Sequence, residues 1–404
     1  MADIAHSERA HALLGASKAS QWINCPPSAR LQEKVPEKRS AYADEGTAAH
    51  EYSEMKLRRR LTVLASKERA ALDKAMDAFR STNQYYNAEM ETATDYYVEA
   101  VEERYHEAKA RSADAVIMFE ERLDFSEWVP QGYGTGDVSI VSDGVLEVID
   151  LKYGKGVPVS AVGNPQLRLY GLGAWSSLNW MYDIREVRVT IVQPRLDSVS
   201  SETIAVDDLL TWAEETVKPA ASLAWEGGGE FKAGDHCKFC KVKATCRARA
   251  DQNMQAVEYE FKDPALLTLE EIGQILHIVG QLKAWAGDVE TFAQEQAVRG
   301  VRFPHWKLVE GRSNRTITDK DAARDVLLAV DGITEEKIFK PRELVGIGDL
   351  EKAVGKKELV KLIGGLIVKP PGKPVLVPET DPRPELNSVE NDFAGEDFDG
   401  VEAG

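Results

Sequence analysis

Two carboxylates and a lysine in the middle of the chain are of the residue types that hold a divalent cation beside a water molecule. Asp137 precedes Asp150 by thirteen residues, and Lys152 follows Asp150 by two. Carboxylate oxygens are hard ligands suited to Mg2+ or Mn2+. A bound cation of this kind lowers the pKa of a water molecule enough to supply hydroxide near neutral pH. Lys152 shares a strand face with Asp150 and can hold or polarise that water, so these residues predict metal-assisted hydrolysis.

The segment around these residues has the pattern of a β-hairpin that would bring the two carboxylates together. Asp143-Gly144 is a turn dipeptide between two β-rich runs. Antiparallel pairing across that turn would place Asp137 and Asp150 at one end of the sheet. Glu147, three residues before Asp150, falls on the opposite face and is expected to be solvent-facing or structural. The predicted strands are Val116–Leu123, Thr135–Val141, Val145–Tyr153 and, after an intervening helix at Gln166–Leu178, Arg185–Gln193.

Helical patterns flank these strands on both sides, so the core is expected to be α/β. The remaining predicted elements are a short helix within Ser17–Leu31 that breaks at Cys25-Pro26-Pro27, two long helices between Asp44 and Tyr105, a helix at Asp207–Trp225, one or two helices within Leu266–Val298, a short strand near Lys307 and small helices up to Leu366.

The four cysteines have the spacing of a metal site. Cys237, Cys240 and Cys246 form a C-x2-C-x5-C cluster, and Cys25 lies 212 residues before it. In a reducing compartment such a cluster is more often a metal site than a disulfide set. Four thiolates suit either a tetrahedral zinc ion or a cubane iron–sulfur cluster, and for zinc His236 is an alternative to the remote Cys25.

The central constellation resembles the signature of the PD-(D/E)XK nuclease superfamily, and its flanking residues resemble the RecB-like branch. In that branch a histidine on an upstream helix adds a metal ligand, which His50 matches. A Gln-x-x-x-Tyr motif on the helix after the catalytic strand contacts nucleic acid or orders the site, which Gln166 and Tyr170 match. The resemblance implies a mixed sheet flanked by helices, with Mg2+ or Mn2+ on His50, Asp137, Asp150 and the Leu151 carbonyl. It also implies that Lys152 is catalytic.

The cysteines are similar to the arrangement of AddB-like and CRISPR-associated members of that branch, where one early and three late cysteines bracket the nuclease core. The resemblance implies a [4Fe-4S] cluster on Cys25, Cys237, Cys240 and Cys246 that ties the two ends of the fold together. It covers about Ser17 to Arg249, and the remainder resembles an uncharacterised family of phage and prophage proteins. The expected organisation is a nuclease domain at 1–255, a helix-rich domain at 256–369 and a disordered Pro-rich, acidic tail at 370–404.

Composition permits DNA as a partner and argues against a membrane. The net charge is −17, but Glu379–Gly404 carries nine acids against one arginine, while Lys238–Arg249 is locally basic. The longest apolar runs fall far short of the ~20 residues that span a bilayer. The N-terminus lacks a secretory pattern, so a cytoplasmic location in a bacterial host is expected. The acidic tail is either a solubilising end or a segment that occupies a basic partner surface or the chain's own DNA groove.

The expected function is a metal-dependent deoxyribonuclease, most simply an exonuclease, acting on single-stranded DNA or duplex ends in phage replication or recombination. The chain contains no G-x4-G-K-[ST] motif, so a helicase would be a separate partner, as would a single-strand-binding protein. Two alternatives remain open at this point. One is a non-catalytic DNA-binding accessory protein with the same fold, and the other is a zinc-stabilised scaffold of a replication complex.

Overall fold

The computed structural model describes residues 12–36, 41–254, 268–307, 309 and 319–329, together with 335, 339, 346–348, 350, 355–363 and 366–367. The chain divides into two compact units. The first comprises residues 1–267 and 280–309, and the second comprises 268–279 and 310–404. The first unit holds every residue to which the sequence assigns chemistry. The predicted boundaries at 255 and 369 stay predictions, and the predicted disordered tail lies outside the described residues.

A single five-stranded sheet is the centre of the first unit. The strand order is β1 to β5 in sequence order, and every neighbouring pair is antiparallel except β3 with β4, which is parallel. A parallel pair needs a crossover, and helix α6 supplies it. The strands are β1 (Val116–Asp124), β2 (Tyr133–Ser142), β3 (Gly144–Leu151), β4 (Ile184–Gln193) and β5 (Ser198–Ala205). The mixed α/β architecture expected from the sequence is therefore confirmed.

The hairpin predicted at Asp143-Gly144 joins β2 and β3. Gly144 has φ +76°, a left-handed conformation that glycine adopts without steric cost. Strand β5 was not predicted from the sequence. Its SVSSETIA composition is polar, and its residues alternate between exposed and partly buried, as expected for an edge strand with one solvated face.

The helices before the sheet are α1 (Ala19–Asn24), α2 (Ser28–Glu33), α3 (Ala41–Leu61), α4 (Ser66–Thr82) and α5 (Ala88–Arg111). The region from Asp44 to Tyr105 thus holds three helices and not the two that were predicted. Local capping explains the extra boundaries. Glu68 accepts a hydrogen bond from the Ala65 backbone N–H at the start of α4, and the Asn87 side chain accepts one from the Met90 backbone N–H at the start of α5.

The helices after β3 are α6 (Pro165–Leu178), α7 (Val206–Trp212), α8 (Lys218–Glu226), α9 (Arg247–Met254), α10 (Leu269–Val298), α11 (Lys320–Leu328) and α12 (Lys356–Ile363). A π-helical turn, Ala213–Val217, joins α7 to α8 just before Pro219, which lacks a backbone N–H. Short 3-10 segments occur at Ala16–Lys18, Pro194–Leu196 and Asp235–Phe239. Most of the strand predicted near Lys307 lies outside the described residues.

The two faces of the sheet carry separate hydrophobic clusters. One packs against α6 and includes Leu146 and Val148, whereas the other packs against α3 and α5 and includes Ile149 and Leu151. Alternation of side chains along β3 produces this division. Helix α6 approaches the sheet closely because Gly171 and Gly173 lack side chains. A Cβ at Gly173 would lie 3.0 Å from the Leu123 backbone. Gly171 and Gly173, although glycine is unfavourable within a helix, are therefore the residues that let the helix pack.

No helix among the described residues is both long enough and apolar enough to cross a membrane.

Candidate functional site

His50 and Asp137 form a close pair at one end of the sheet. His50 lies on α3, and its Nδ1 is 3.1 Å from Asp137 Oδ1 on β2. Burial alone would lower the pKa of His50, but the negative charge and hydrogen bond of Asp137 outweigh burial and raise it to about 9. The structure thus brings together two of the residues singled out in the sequence, although they are 87 positions apart.

Asp137 is also anchored to the neighbouring strand. Its Oδ2 accepts a hydrogen bond of 2.7 Å from the Leu151 backbone N–H. The register of β2 with β3, in which Val138 pairs with Ile149, places Asp137 directly opposite Asp150. Burial favours the neutral form, but the charge and hydrogen bond of His50, together with the Leu151 N–H, hold the pKa of Asp137 below its usual range. Asp137 is therefore a fixed anion at the end of the hairpin.

Asp150 and Lys152 face the α6 side of the sheet. The Lys152 ammonium forms an ion pair with Asp150, 2.7 Å from its Oδ2. Asp150 is buried, and burial together with the charge of Asp137 raises its pKa against the opposing effect of Lys152. Two negative charges directly opposite each other in a buried site favour a bound cation.

Gln166 and Tyr170 on α6 extend the group formed by Asp150 and Lys152. Gln166 Oε1 accepts a hydrogen bond of 3.3 Å from the Lys152 ammonium, and Gln166 Nε2 donates one of 3.3 Å to the Tyr170 hydroxyl. Gly134 makes room for the tyrosine, since a Cβ there would lie 2.5 Å from Tyr170 Cε1. Every side chain predicted for the central site is thus placed at the same end of the sheet.

Glu147 lies on the opposite face from Asp150, as predicted, but it is buried and not solvent-facing. Its Oε1 accepts a hydrogen bond of 2.7 Å from the Thr190 hydroxyl, and Arg104 and Arg188 lie within 4 Å of its carboxylate. The role supported by these contacts is structural.

Glu120 is a site residue that sequence reasoning missed. One of its carboxylate oxygens, a ring nitrogen of His50 and a carboxylate oxygen of Asp137 all lie within 4.8 Å of one another. Among the described residues, no other set of three histidine, cysteine or acidic ligand atoms is grouped this tightly. Nothing in the sequence distinguishes Glu120 from its neighbour Glu121, because the distinction arises from the backbone. Glu120 has φ +55°, which non-glycine residues rarely adopt.

A narrow cleft contains this group. It is lined by His50, Ser53, Glu54, Leu57, Tyr97, Glu120, Asp137 and Leu151, and the volume open to the centre of a water molecule is about 10 Å³. This is roughly the space of one water molecule or one ion. Leu151, predicted to offer its carbonyl to a metal, lines the cleft, whereas Asp150 and Lys152 lie beside it on the α6 side.

The four cysteines form a second candidate site. It combines Cys25, near the start of the first unit, with three cysteines that follow α8. All four line one cavity, together with His236, and none forms a disulfide. Burial raises the pKa of the Cys240 thiol to about 11, with a smaller contribution from the neighbouring thiols. Because the thiolate and not the thiol is the metal ligand, binding of a metal here would release the thiol protons. The Cys25 thiol beside the imidazole, with the Lys232 carbonyl, raises the pKa of His236.

The spacing of these ligand atoms is wider than a single small ion requires. No three of them, all of which lie in the described ranges, are within 4.8 Å of one another. In a tetrahedral zinc site with Zn–S of about 2.3 Å, the sulfurs are about 3.8 Å apart.

The family model described as "Protein of unknown function (DUF2800)" matches residues 11–384. The chain belongs to the DUF2800 family. This match covers both candidate sites of the DUF2800 chain and extends into its second unit, as far as residue 384. Among solved structures, the chain is similar to the one titled "Crystal structure of SSO0001", with 15% sequence identity, 60% of this chain and 91% of that chain covered, and a TM-score of 0.26. A TM-score this low carries no argument about fold or function.

Proposed function

We propose that this chain is a metal-dependent DNA nuclease of the RecB-like PD-(D/E)XK type that hydrolyses phosphodiester bonds in phage replication or recombination. The observation that supports the proposal is the convergence of His50 on α3, Asp137 on β2 and the Asp150–Lys152 ion pair at the end of β3. These elements are distant in sequence. A partly exposed histidine and carboxylate, a buried carboxylate and an ammonium at one sheet end form a costly grouping of the kind concentrated at functional sites.

The residues present fit a divalent cation. Two ligands at about 2.0–2.4 Å from one ion are at most about 4–5 Å apart. Ligand atoms of His50, Glu120 and Asp137 all lie within 4.8 Å of one another, which meets this condition. Mg2+ or Mn2+ would be held by His50 and Asp137, which line the cleft together with Leu151. Asp150 and the Leu151 carbonyl are the further ligands that the resemblance to the nuclease superfamily implies. When bound, the cation supplies Lewis-acid chemistry, activating water and stabilising charge on the phosphate.

The chain's own residues orient the reactants. Lys152 is held from two sides, by Asp150 and by Gln166, so its ammonium has a fixed position from which to orient the attacking water. The same positive charge offsets the negative charge that develops on the phosphorane oxygens. Tyr170, linked to Lys152 through Gln166, positions the DNA strand beside the lysine.

For the cysteine site we propose a [4Fe-4S] cluster held by Cys25, Cys237, Cys240 and Cys246. The four cysteines line one cavity and none is in a disulfide, an arrangement that suits a cubane holding each thiolate at a different corner. The choice of iron and sulfide over zinc rests on the resemblance to the iron–sulfur members of the nuclease branch. Such a group would join the α1–α2 segment to the segment after α8. We expect its loss to unfold this part of the domain, with no direct effect on the chemistry at Lys152.

The proposal is tested with anaerobically purified full-length protein and end-labelled single-stranded and duplex DNA, with Mg2+ or Mn2+. We expect cation-dependent cleavage that falls by at least about 100-fold in Lys152→Ala. The matched control is Lys155→Ala, since Lys155 is only three residues away but is 58% exposed.

Cleavage that persists in Lys152→Ala would remove Lys152 from the mechanism. The absence of cleavage by wild-type protein with its full iron content would instead support a DNA-binding accessory protein with a nuclease fold. Stoichiometric zinc in place of iron and sulfide would support the scaffold alternative.

A further inference from the structure

Glu120 is turned toward His50 and Asp137 by a local break in strand β1. Phe119 belongs to the cluster under α3 and α5, and Leu123 belongs to the cluster under α6. In a regular strand, residues four apart face the same side of the sheet. The positive φ of Glu120 lies between them and accounts for the change of face. Strained backbone of this kind is concentrated at functional sites, where other interactions maintain it.

The register of β1 with β2 shows which residue lies opposite Glu120. Phe119 pairs with Val138 and Glu121 pairs with Gly136, so Glu120 lies opposite Asp137, and neither of those two residues takes part in a ladder pair. The two carboxylates and His50 offer one nitrogen and two oxygen ligands on the same side of the cleft. Three ligands of this kind are typical of a divalent cation that keeps some of its water.

Two buried hydroxyl groups line the same cleft. Tyr97 on α5 and Ser53 on α3 are among the residues that line the cleft. The hydroxyl of each is shielded from solvent and has no hydrogen-bond partner in the structure. Tyr97 is 1% exposed and Ser53 is also 1% exposed. Buried hydroxyl groups in proteins are nearly always hydrogen-bonded. Burial, with the nearby charges of Asp137, Asp150 and Glu120, raises the pKa of Tyr97, so its phenol remains a donor at any ordinary pH.

We propose that Glu120 is a further ligand of the divalent cation held by His50 and Asp137, and that the Tyr97 hydroxyl donates a hydrogen bond to a water molecule in the same cleft. The inference depends on the proposed function for the presence of a cation. It assigns to this chain a carboxylate ligand from β1 and a phenol donor from α5, neither of which follows from the sequence motif.

The test measures Mn2+ binding to the full chain without DNA, from the electron paramagnetic resonance signal of free Mn2+. We expect Glu120→Gln to weaken Mn2+ binding by at least about tenfold. The control is Glu121→Gln, because Glu121 is the adjacent, exposed glutamate of the same strand and should bind as wild type.

Glu120→Gly separates ligand loss from misfolding. Glycine adopts φ near +55° without strain, so this variant should unfold at the same or a higher temperature than wild type. It should nevertheless lose Mn2+ affinity as Glu120→Gln does. Wild-type Mn2+ affinity in both Glu120 variants would overturn the assignment of Glu120.

For the phenol, Tyr97→Phe is compared with Tyr96→Phe, the neighbouring tyrosine of α5. Tyr97→Phe removes a hydrogen-bond donor that does not itself bind the cation, and it should weaken Mn2+ binding by about tenfold. Tyr96→Phe should bind Mn2+ as wild type. Equal affinities in the two variants would overturn the role of Tyr97.

If wild-type protein bound no Mn2+, the cation site and with it the proposed function would fail. If only the Glu120 and Tyr97 variants behaved as wild type, the proposed function would stand and this inference alone would fail.

Discussion

Replacement of Asp137 by asparagine tests the electrostatic pairing at the centre of the candidate site. In the native chain the pKa of His50 is about 9, compared with 6.5 for an ordinary histidine. At about 1.4 kcal/mol per pH unit, the folded protein favours the protonated imidazole by about 3 kcal/mol. The His50 side chain is 25% exposed, so this figure is an upper limit.

Asparagine keeps a hydrogen-bond acceptor at position 137 but removes the charge. Burial then becomes the dominant effect on His50, because Asp150 raises its pKa only slightly and Lys152 opposes Asp150. We therefore expect the pKa of His50 to fall from about 9 to 6.5 or below in Asp137→Asn.

The assay is a titration of histidine Cε1–H signals by NMR in selectively labelled protein freed of divalent cations, from about pH 5.5 to about pH 10. His50→Gln identifies the His50 signal by its disappearance. A native pKa near 6.5, or one that stays unchanged in Asp137→Asn, would refute the pairing. Since the pKa is higher in the folded state, this interaction stabilises the fold fully below pH 6.5, and its contribution is lost as the pH rises through about 9.

Three further predictions concern other parts of the chain. Cys25→Ser should lower the iron and sulfide content per chain and the unfolding temperature, and full iron content in that variant would exclude Cys25 as a ligand. Gly134→Ala should cost about 1–3 kcal/mol of stability because its Cβ would clash with Tyr170, as measured by chemical denaturation. Gly46→Ala is the control, since nothing lies within 4 Å of a Cβ there, and an equal loss of stability would argue against the clash. Deletion of Glu379–Gly404 should raise DNA affinity by removing −8 of charge, and unchanged affinity in an anisotropy titration would contradict a role for the tail.

The sequence predicted the parts of the fold that depend on local periodicity. The Asp143-Gly144 turn and the apolar runs on either side determine the β2–β3 hairpin, and with it the juxtaposition of Asp137 and Asp150. Strand β5 was not predicted because its sequence is polar and lacks the alternation of apolar residues that marks a strand. Such an edge strand is held by backbone hydrogen bonds to β4, which leave no pattern in the sequence.

The candidate site was predictable to the extent that its residues lie on regular elements. His50 and Gln166 lie on helices, and the structure places them within hydrogen-bonding distance of Asp137 and Lys152, respectively. The roles proposed for them come from the resemblance to the nuclease motifs. Tyr97 could not be predicted in this way, since a tyrosine on a partly apolar helix is most often a core residue. Its hydroxyl becomes informative only when the tertiary structure shows that it lines the cleft and lacks a partner.

Glu120 shows why a pattern of alternation can mislead at a functional site. Alternation along β1 assigns Phe119, Glu121 and Leu123 to one face, which would leave Glu120 on the other. The structure separates Phe119 from Leu123 and turns the strand at Glu120. The conformational cost of a positive φ at glutamate, about 1–3 kcal/mol, must be offset by interactions that the strand alone does not provide. A cation shared with His50 and Asp137 would offset it. We therefore expect Mn2+ to raise the unfolding temperature of wild-type protein by more than that of Glu120→Gly, and equal increases in the two proteins would show that the strained backbone serves some other purpose.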